Sequence, residues 1–261
     1  MRRLIILSAL GLSTAALADL TLVNEAIAGG KKRTVTLSAK GARAFFEMKE
    51  ADGPTRTMVR DGEAKKMFII DHVKKVVMVI TEEDSKQVEE KQASLRAQLQ
   101  AQLAKMPAEQ RARMEATMLP PTDVKPPVFA YEKNKTPARK ISGYSCQDYT
   151  IKRDGQTSGD GCFTSWKDIG ITVDEFKTTM LKAMPTMAGN PMGQAAFEAS
   201  DSAPGFPVWR THLNAQGQVT TETTLKSIAK TAVAAENFEL PKDYAVKSMA
   251  EAMGPPPRPA K

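Results

Sequence analysis

The first part of the chain alternates apolar and polar residues in short runs separated by turn residues. Between residues 31 and 81 these runs are divided by Asp-Gly and Gly-Pro pairs, which favour tight turns. Because side chains alternate between the two sides of a strand, such runs give one apolar and one polar face. We therefore predict an antiparallel meander that needs a second layer to cover its apolar face. Its strands are expected at residues 34–39, 44–48, 57–60, 66–70 and 76–80.

The composition then changes to residues typical of helices. The stretch at about 82–118 is rich in Glu, Gln, Lys, Ala, Leu and Met. Leu95, Leu99 and Leu103 recur at helical spacing and form an apolar stripe. Pro107 predicts a break and a restart, because proline ends one helix and suits the first turn of the next. This helical insertion is interpreted as core, as a lid over the sheet, or as an arm for a partner protein, and the sequence leaves these three open.

Strands resume after a proline-rich linker at 119–127. They are expected near residues 128–132, in a hairpin around the two cysteines, and at 205–213 and 219–228. Between them, Thr172 followed by Glu175 is typical of a capping box that begins a helix. The predicted fold class is α+β, with a curved antiparallel β-sheet, an open half-barrel, covered by amphipathic helices.

The hairpin contains the only two cysteines of the chain, Cys146 and Cys162. The Asp154-Gly155 pair between them predicts a tight turn, because glycine readily adopts the positive φ that such a turn requires. Folding the two arms together brings the cysteines roughly opposite each other, so a disulfide is expected. Closing a loop of this length stabilises a fold by about 3 kcal/mol in the chain-entropy model.

The N-terminal sequence predicts export. Arg2 and Arg3 precede a short apolar run that ends in Ala16-Leu17-Ala18, which is typical of a signal peptide at 1–18 with cleavage after Ala18. A single α+β domain is expected at 19–248, followed by a disordered proline-rich tail at 249–261. The protein is thus predicted to be periplasmic or secreted, where cysteines are usually paired. The apolar run is too short for stable membrane insertion.

Charge and composition limit the classes of partner that the sequence favours. The formal net charge is +7, but basic and acidic residues are mixed along the chain, which argues against nucleic-acid binding. The chain has 14 methionines and only 6% aromatic residues, a composition that gives soft, adaptable apolar surfaces.

A search for catalytic chemistry finds no motif. The two histidines, His72 and His212, have no further ligands at metal spacing, so no metal site is expected. No nucleophile elbow, phosphate-binding loop or zinc-protease motif occurs. We therefore expect a protein that is not an enzyme and that needs no cofactor.

A binding role remains. The expected ligand face, for an apolar small molecule or lipid, lies between the sheet and the helical insertion. An envelope protein–protein interaction, or a stress-related, chaperone-like role without a small ligand, is the alternative, and the same side chains also suit an ordinary core. The residues of this expected face are Phe68, Ile70, Val77 and Val79 on the sheet, with Leu95, Leu99 and Leu103 on the helix.

Several short motifs resemble a family of exported bacterial proteins known as domain of unknown function 4412. They are Ile141-Ser142-Gly143-Tyr144-Ser145-Cys146 with Tyr149, Trp166, Gly205-Phe206-Pro207, Phe238-Glu239-Leu240-Pro241-Lys242-Asp243-Tyr244, Met67-Phe68-Ile69-Ile70-Asp71 and Met106-Pro107-Ala108-Glu109-Gln110-Arg111. The order of elements is also similar to that of periplasmic lipoprotein carriers of the LolA and LolB type, open half-barrels that hold acyl chains on a helix-covered concave face. This likeness of architecture implies apolar-ligand binding only as an expectation, since fold does not fix function.

Overall fold

The computed structural model describes residues 19–107, 110, 111, 114, 127–183, 202–249 and 251. Within them, thirteen strands form one continuous sheet. The strands are β1 Leu20–Ala28, β2 Lys31–Lys40, β3 Arg43–Glu50, β4 Thr55–Asp61, β5 Lys66–Asp71, β6 Val76–Thr81, β7 Phe129–Lys133, β8 Arg139–Ile141, β9 Tyr144–Arg153, β10 Gln156–Thr164, β11 Phe206–Leu213, β12 Val219–Ala229 and β13 Ala245–Ser248. The helices are α1 Glu82–Leu103, α2 Val173–Ala183 and a 3₁₀ helix Ala235–Phe238.

The strands lie in the order β13-β6-β5-β4-β3-β2-β1-β12-β11-β10-β9-β7, and β8 pairs with β9 beside β7. All neighbours are antiparallel except β13, which runs parallel to β6. The predicted α+β class with an open antiparallel sheet is confirmed, as is the meander from β2 to β6. The central strand β1 was not predicted. It pairs with β2 on one side and β12 on the other, so it joins the two halves of the sheet.

The predicted domain limits are only partly within the described residues. The expected signal peptide and its cleavage site lie outside them, and so does the tail except for 249 and 251. The restart of the helix after Pro107 also lies outside them, apart from residues 110, 111 and 114. A single domain over 19–248 stays a prediction.

The meander has two apolar faces. The first, which we call the methionine face, is defined by Phe46, Met48, Met58, Ile69 and Met78. Four of these five residues, all but Met48, are aligned across β3, β4, β5 and β6 by the strand register. The second, the valine face, is the opposite side of the same strands, because successive side chains point to opposite sides. It is defined by Phe45, Val59, Phe68, Ile70, Val77 and Val79.

The valine face is covered by the chain that follows β12. Val59, Ile70 and Val77 form a buried cluster with Val233 and with Phe238 from the 3₁₀ helix. Phe45, Phe68, Leu240 and Tyr244 pack against this cluster. The residues between β12 and β13, which we call the C-terminal segment, therefore supply the second layer on this side.

Polar contacts fix the C-terminal segment at its first end. The carboxylate of Asp19 accepts a hydrogen bond from the backbone N–H of Val233 at 2.8 Å. Lys40 donates to the carbonyl oxygen of the same residue at 3.0 Å. Both backbone groups of the buried Val233 are thus satisfied, as burial requires.

The second end is held through His72. Its Nε2 lies 2.8 Å from the hydroxyl of Thr57, and its Nδ1 lies 3.1 Å from the hydroxyl of Tyr244. The rings of His72 and Tyr244 also meet edge to face. His72 therefore connects the β5–β6 hairpin to the C-terminal segment instead of standing free in a turn.

Helix α1 begins where the meander ends. Thr81 caps it, and the side chain of Asp84 accepts from the backbone N–H of Thr81 in return. Beyond this first turn, Leu95 is 57% exposed, and Leu103 at the other end is 1% exposed. The described part of α1 contacts β6, the strand that leads into it. The predicted apolar stripe is therefore covered at one end of the helix and exposed further along it.

Helix α2 packs more closely. The predicted capping box is confirmed: the backbone N–H of Glu175 donates to the Thr172 hydroxyl at 3.1 Å, and Glu175 accepts from the N–H of Thr172 at 2.8 Å. Phe176 contacts the rings of Trp166 and Phe206, with centroids 5.5 and 5.6 Å away. The helix also contacts β2 and β3, so it anchors the second half of the chain on the first.

The cysteine hairpin forms as predicted, with one difference in register. Asp154 and Gly155 adopt positive φ values of 52° and 81° in the turn. A register shift near Gly159 places Cys162 opposite Asp148. The Cys146–Cys162 disulfide therefore joins diagonal positions, with Cα atoms 5.4 Å apart. Both cysteines are buried, at 2% and 0% exposure, within the core of the second half.

We expect the free energy of unfolding of the double variant Cys146→Ser/Cys162→Ser to be about 3 kcal/mol lower than that of the wild type. The reason is that its unfolded chain is no longer constrained by a closed loop. Urea denaturation of both proteins measures this difference. Reduced wild-type protein is the control and should match the variant. Equal stability of the oxidised protein and the variant would contradict a structural role for the bridge.

Candidate functional site

The four predicted sheet residues of the ligand face lie together on the valine face. Ile70 is 3% exposed and Val77 is 0% exposed, and both belong to the cluster that the C-terminal segment completes. Phe68 and Val79 are half-buried neighbours in the next register row. The sheet side chains were thus correctly placed on one face, but described residues of the chain itself, Val233 and Phe238, fill the space over Ile70 and Val77.

The three predicted helix residues do not join them. Leu95 is exposed, Leu99 is half-buried and Leu103 is buried. Among the described residues, the buried clusters that contain sheet side chains include none of these leucines. Ligand binding between these two sets stays a prediction, and the packing of the sheet set does not require it.

Two alanine variants distinguish a core position from an exposed one. Ile70→Ala should lower the free energy of unfolding by about 2–5 kcal/mol, because it leaves a cavity under the C-terminal segment. Leu95→Ala should change it by no more than about 0.5 kcal/mol. Chemical denaturation measures both. A small loss at Ile70 would mean that the cluster around Val77 is loosely packed and open to a ligand.

The methionine face is a different kind of surface. Its five defining residues, Phe46, Met48, Met58, Ile69 and Met78, are half-buried. Methionine is flexible and polarisable, so such a surface adapts to ligands of irregular shape. Sequence patterning pointed to the other face because both alternate positions in these strands are apolar. The spacing of the methionines was the signal that was missed.

The same side of the sheet continues into the second half. Arg210 is the register partner of Thr223, and successive register partners continue from there across the sheet to β3, the strand of Met48. The members of this register row are Arg210, Thr223, Ala26, Arg33 and Glu50. Because Met48 is two residues from Glu50, it shares this side of the sheet.

An aromatic cluster lies at the far end of this side. The rings of Tyr131 and Tyr149 meet Phe163 edge to face, with centroids 5.4 and 5.6 Å away. A Cβ at Gly161 would lie 2.6 Å from Cε2 of Phe163, so only glycine leaves room for that ring. Gly161 is also the register partner of Arg210. The strand beside Arg210 therefore presents no side chain of its own at this point.

Arg210 is the unusual charge of this surface. It is half-buried, and its Nε is buried without a hydrogen-bond acceptor among the described residues. Burial lowers the pKa of Arg210, whereas the nearby Tyr131 acts in the opposite direction. Burial likewise raises the pKa of Tyr131, against the charge of Arg210 and a hydrogen bond to Ser202. Sequence reasoning did not single out Arg210.

His212 lies two residues further along the same side of β11. Desolvation and the positive charge of Arg210 lower the pKa of His212 to about 4, although part of the residue remains exposed. It is therefore neutral at pH 7, with one ring nitrogen as donor and one as acceptor.

The opposite side of these strands has its charges paired. Arg139 lies 3.0 Å from a carboxylate oxygen of Asp148 and stacks over Trp209, at 4.8 Å from the ring centroid. The indole N–H of Trp209 donates to Glu222 at 2.7 Å. The two sides of β9–β12 are thus distinct. One side has paired charges, and the other has an arginine without an acidic partner in the described part of the chain.

The described residues contain neither a candidate metal site nor a candidate membrane-spanning helix. No three His, Cys, Asp or Glu side chains among them are grouped so that they could hold a metal ion. Within the same ranges, no helix has the length and apolar character needed to cross a membrane.

The titration of His212 tests the geometry of this cluster. We expect its midpoint at about pH 4 and a rise toward 6.5 in Arg210→Gln, because a neighbouring positive charge is removed. Since the folded-state pKa lies below the unfolded value, His212 stabilises the fold above about pH 6.5, and this contribution is lost as pH falls toward 4. NMR of the His212 ring in the wild type and the variant measures the midpoint. An unchanged midpoint in the variant would show that the two side chains do not interact.

Residues 124–244 match DUF4412, a domain of unknown function. This confirms the resemblance read from the cysteine hairpin, Trp166 and the closing segment at 238–244. The motifs near Met67 and Met106 lie outside the matched residues. No curated protein sequence matches the chain.

Similar solved structures have low identity. An uncharacterized conserved protein from Thermus thermophilus is 8% identical, with a TM-score of 0.45, over 88% of this chain and 90% of that chain. MucB in the MucA/MucB complex of Pseudomonas aeruginosa is 12% identical, with a TM-score of 0.39, over 89% of this chain and 59% of that chain. An outer membrane lipoprotein-sorting protein domain from Vibrio parahaemolyticus is 9% identical, with a TM-score of 0.22, over 86% and 90%. At this level of similarity, no property of these proteins is transferred to this chain.

Proposed function

We propose that this protein is a non-enzymatic, exported binding protein that holds an apolar ligand, such as the acyl chain of a lipid, on the methionine face. One observation carries the proposal. The two sides of the same strands are packed differently: Val233 and Phe238 bury Val59, Ile70 and Val77 on the valine face, whereas all five residues of the methionine face are half-buried.

The energetics favour such a ligand. Covering apolar surface stabilises a complex by about 25 cal/mol per Å². Partly exposed methionine, isoleucine and phenylalanine side chains retain surface that a ligand would cover, and flexible methionines adjust to it with little strain. Patches of this kind on proteins often mark a ligand or interaction site.

Export is part of the proposal. The signal-peptide pattern at 1–18 and the Cys146–Cys162 disulfide both support an oxidising compartment, the periplasm or the exterior. In that setting a lipid ligand is available from the envelope.

A second candidate function is capture of an envelope protein by α1. The observation in its favour is the exposure of this 22-residue helix, in which Leu95 of the apolar stripe is 57% exposed. Helices with an exposed apolar side chain bind partners through grooves or other helices. This candidate does not involve the methionine face.

Binding of N-phenyl-1-naphthylamine, a dye that fluoresces in apolar surroundings, tests the first proposal. We expect saturable binding by the mature protein and about ten-fold weaker binding by Met78→Glu, which corresponds to about 1.4 kcal/mol of lost contact. Val73→Glu is the matched control, because Val73 is 76% exposed in the turn beside β6 and should leave binding unchanged.

The same preparation, purified from the periplasm, is examined by native mass spectrometry and solvent extraction. A lipid present in stoichiometric amount supports the proposal. Absence of both dye binding and extractable lipid would overturn it and favour the α1 candidate. Thermal melting confirms that Met78→Glu remains folded, and Met48→Glu on β3 provides a second variant if it does not.

A further inference from the structure

We propose that Arg210, flanked by Tyr131 and His212, is an oxyanion subsite that takes the carboxylate or phosphate oxygens of an amphipathic ligand. It rests on the proposed function for the apolar part of that ligand, and it adds the chemistry of the polar end. The apolar part would lie on the methionine face, on the same side of the sheet.

Arg210 lacks a counter-charge among the described residues. Other arginines of the described strands have a carboxylate partner: Arg33 with Glu50, Arg43 with Asp61 and Arg139 with Asp148. Arg210, like Arg56 and Arg60, has no such ion pair among the described residues, but its Nε is also buried without an acceptor there. A guanidinium stays charged at every physiological pH, and partial burial without a counter-charge is unfavourable. A bound oxyanion would supply that counter-charge.

The strands beside Arg210 offer it no partner at its register positions. Its register partners are Gly161 on β10 and Thr223 on β12, both small. Neither carries a long side chain that would stack over or pair with the guanidinium. The space over Gly161 is filled by the Phe163 ring, which has no acceptor for the guanidinium. The parallel N–H groups with which arginine binds planar oxyanions are therefore not taken by side chains at these two positions.

The described groups around Arg210 add no negative charge. His212 is neutral at pH 7, so it offers a ring N–H without adding a second positive charge that would need its own partner. Tyr131 is close enough for its ionisation to be affected by Arg210. No described acidic group is among the causes that shift either Arg210 or His212. The cluster is therefore electropositive, and an anion would meet no repelling carboxylate from the described residues there.

Arg210 and the methionine face lie on one continuous side of the sheet. From Arg210 on β11 to Met48 on β3 there are four strand spacings, on the order of 19 Å. The Arg33–Glu50 ion pair lies at the far end of the Arg210 row, so an acyl chain would reach Met48 along the neighbouring row, where Val35 is its register partner. A long acyl chain whose polar end is at β11 has this length.

The test compares two ligands that share one chain, hexadecanoic acid and hexadecanol, by displacement of the fluorescent dye at pH 7.5. We expect the acid to bind at least about ten-fold more tightly than the alcohol in the wild type. In Arg210→Gln this ratio should fall to about one, while affinity for the alcohol is unchanged. Arg210→Lys should retain part of the preference. Arg153→Gln, at an exposed arginine at the end of β9, should retain all of it.

A second readout does not need the acyl chain. Inorganic phosphate added to the wild type should raise the NMR titration midpoint of His212, because a bound negative charge favours the protonated ring. The shift should be absent in Arg210→Gln. Melting curves establish that this variant is folded; if it is not, Arg210→Lys and the acid-to-alcohol ratio of the wild type decide the question.

The outcomes separate the two proposals. Equal affinity for acid and alcohol, with no effect of phosphate, would overturn the oxyanion subsite and leave the methionine face as a ligand site. A phosphate effect at His212 without binding of either long-chain ligand would support the subsite for a free anion and overturn the proposed function. No response to any of the three would overturn both.

Discussion

The pairing of β1 with its two neighbours is the constraint on which the rest of the structure depends. On one side β1 continues the meander through β2, and on the other it pairs with β12, about two hundred residues later in the chain. Without the second pairing the two halves would be separate sheets with open edges, which exposed strands tend to satisfy by aggregation. The same junction aligns Arg210 with the row that leads to Met48, so the candidate site exists only because the sheet is continuous.

A sheet with apolar residues on both sides has two faces that other groups must cover. Here one side is covered by residues from elsewhere in the same chain, Val233 and Phe238. The Val233 N–H donates to Asp19 and the Val233 carbonyl accepts from Lys40, and these bonds hold that cover in place. The other side keeps methionine and phenylalanine partly exposed and ends in an arginine that lacks an acidic partner among the described residues. The division resembles that between a structural core and a binding surface, made from alternate residues of the same strands.

Much of this could be predicted from local patterns. The meander β2–β6, the Asp154-Gly155 turn, the disulfide and the capping box at Thr172 each depend on residues that are close in sequence, and each was predicted from them. What could not be predicted depends on distant pairing. β1 contains Asn24 and Glu25 at its middle, which weakens its apolar alternation, and its strand identity comes from β12. The choice between the two faces of the meander was likewise decided by Val233 and Phe238, whose position over Val77 has no signal in the sequence around them. Arg210 looks like any basic residue on a strand until its neighbours, Gly161 and Thr223, are known.

The Asp19–Val233 hydrogen bond has a consequence for the timing of folding. Asp19 and Val233 are 214 residues apart in sequence. Neither the pairing of β1 with β12 nor the cover over Val77 can form before nearly the whole chain has been made. Contacts this remote in sequence make folding slow compared with helical proteins of similar size. A chain built in this way keeps an unpaired edge on β1 throughout its synthesis, and the sheet becomes continuous only when β12 is present.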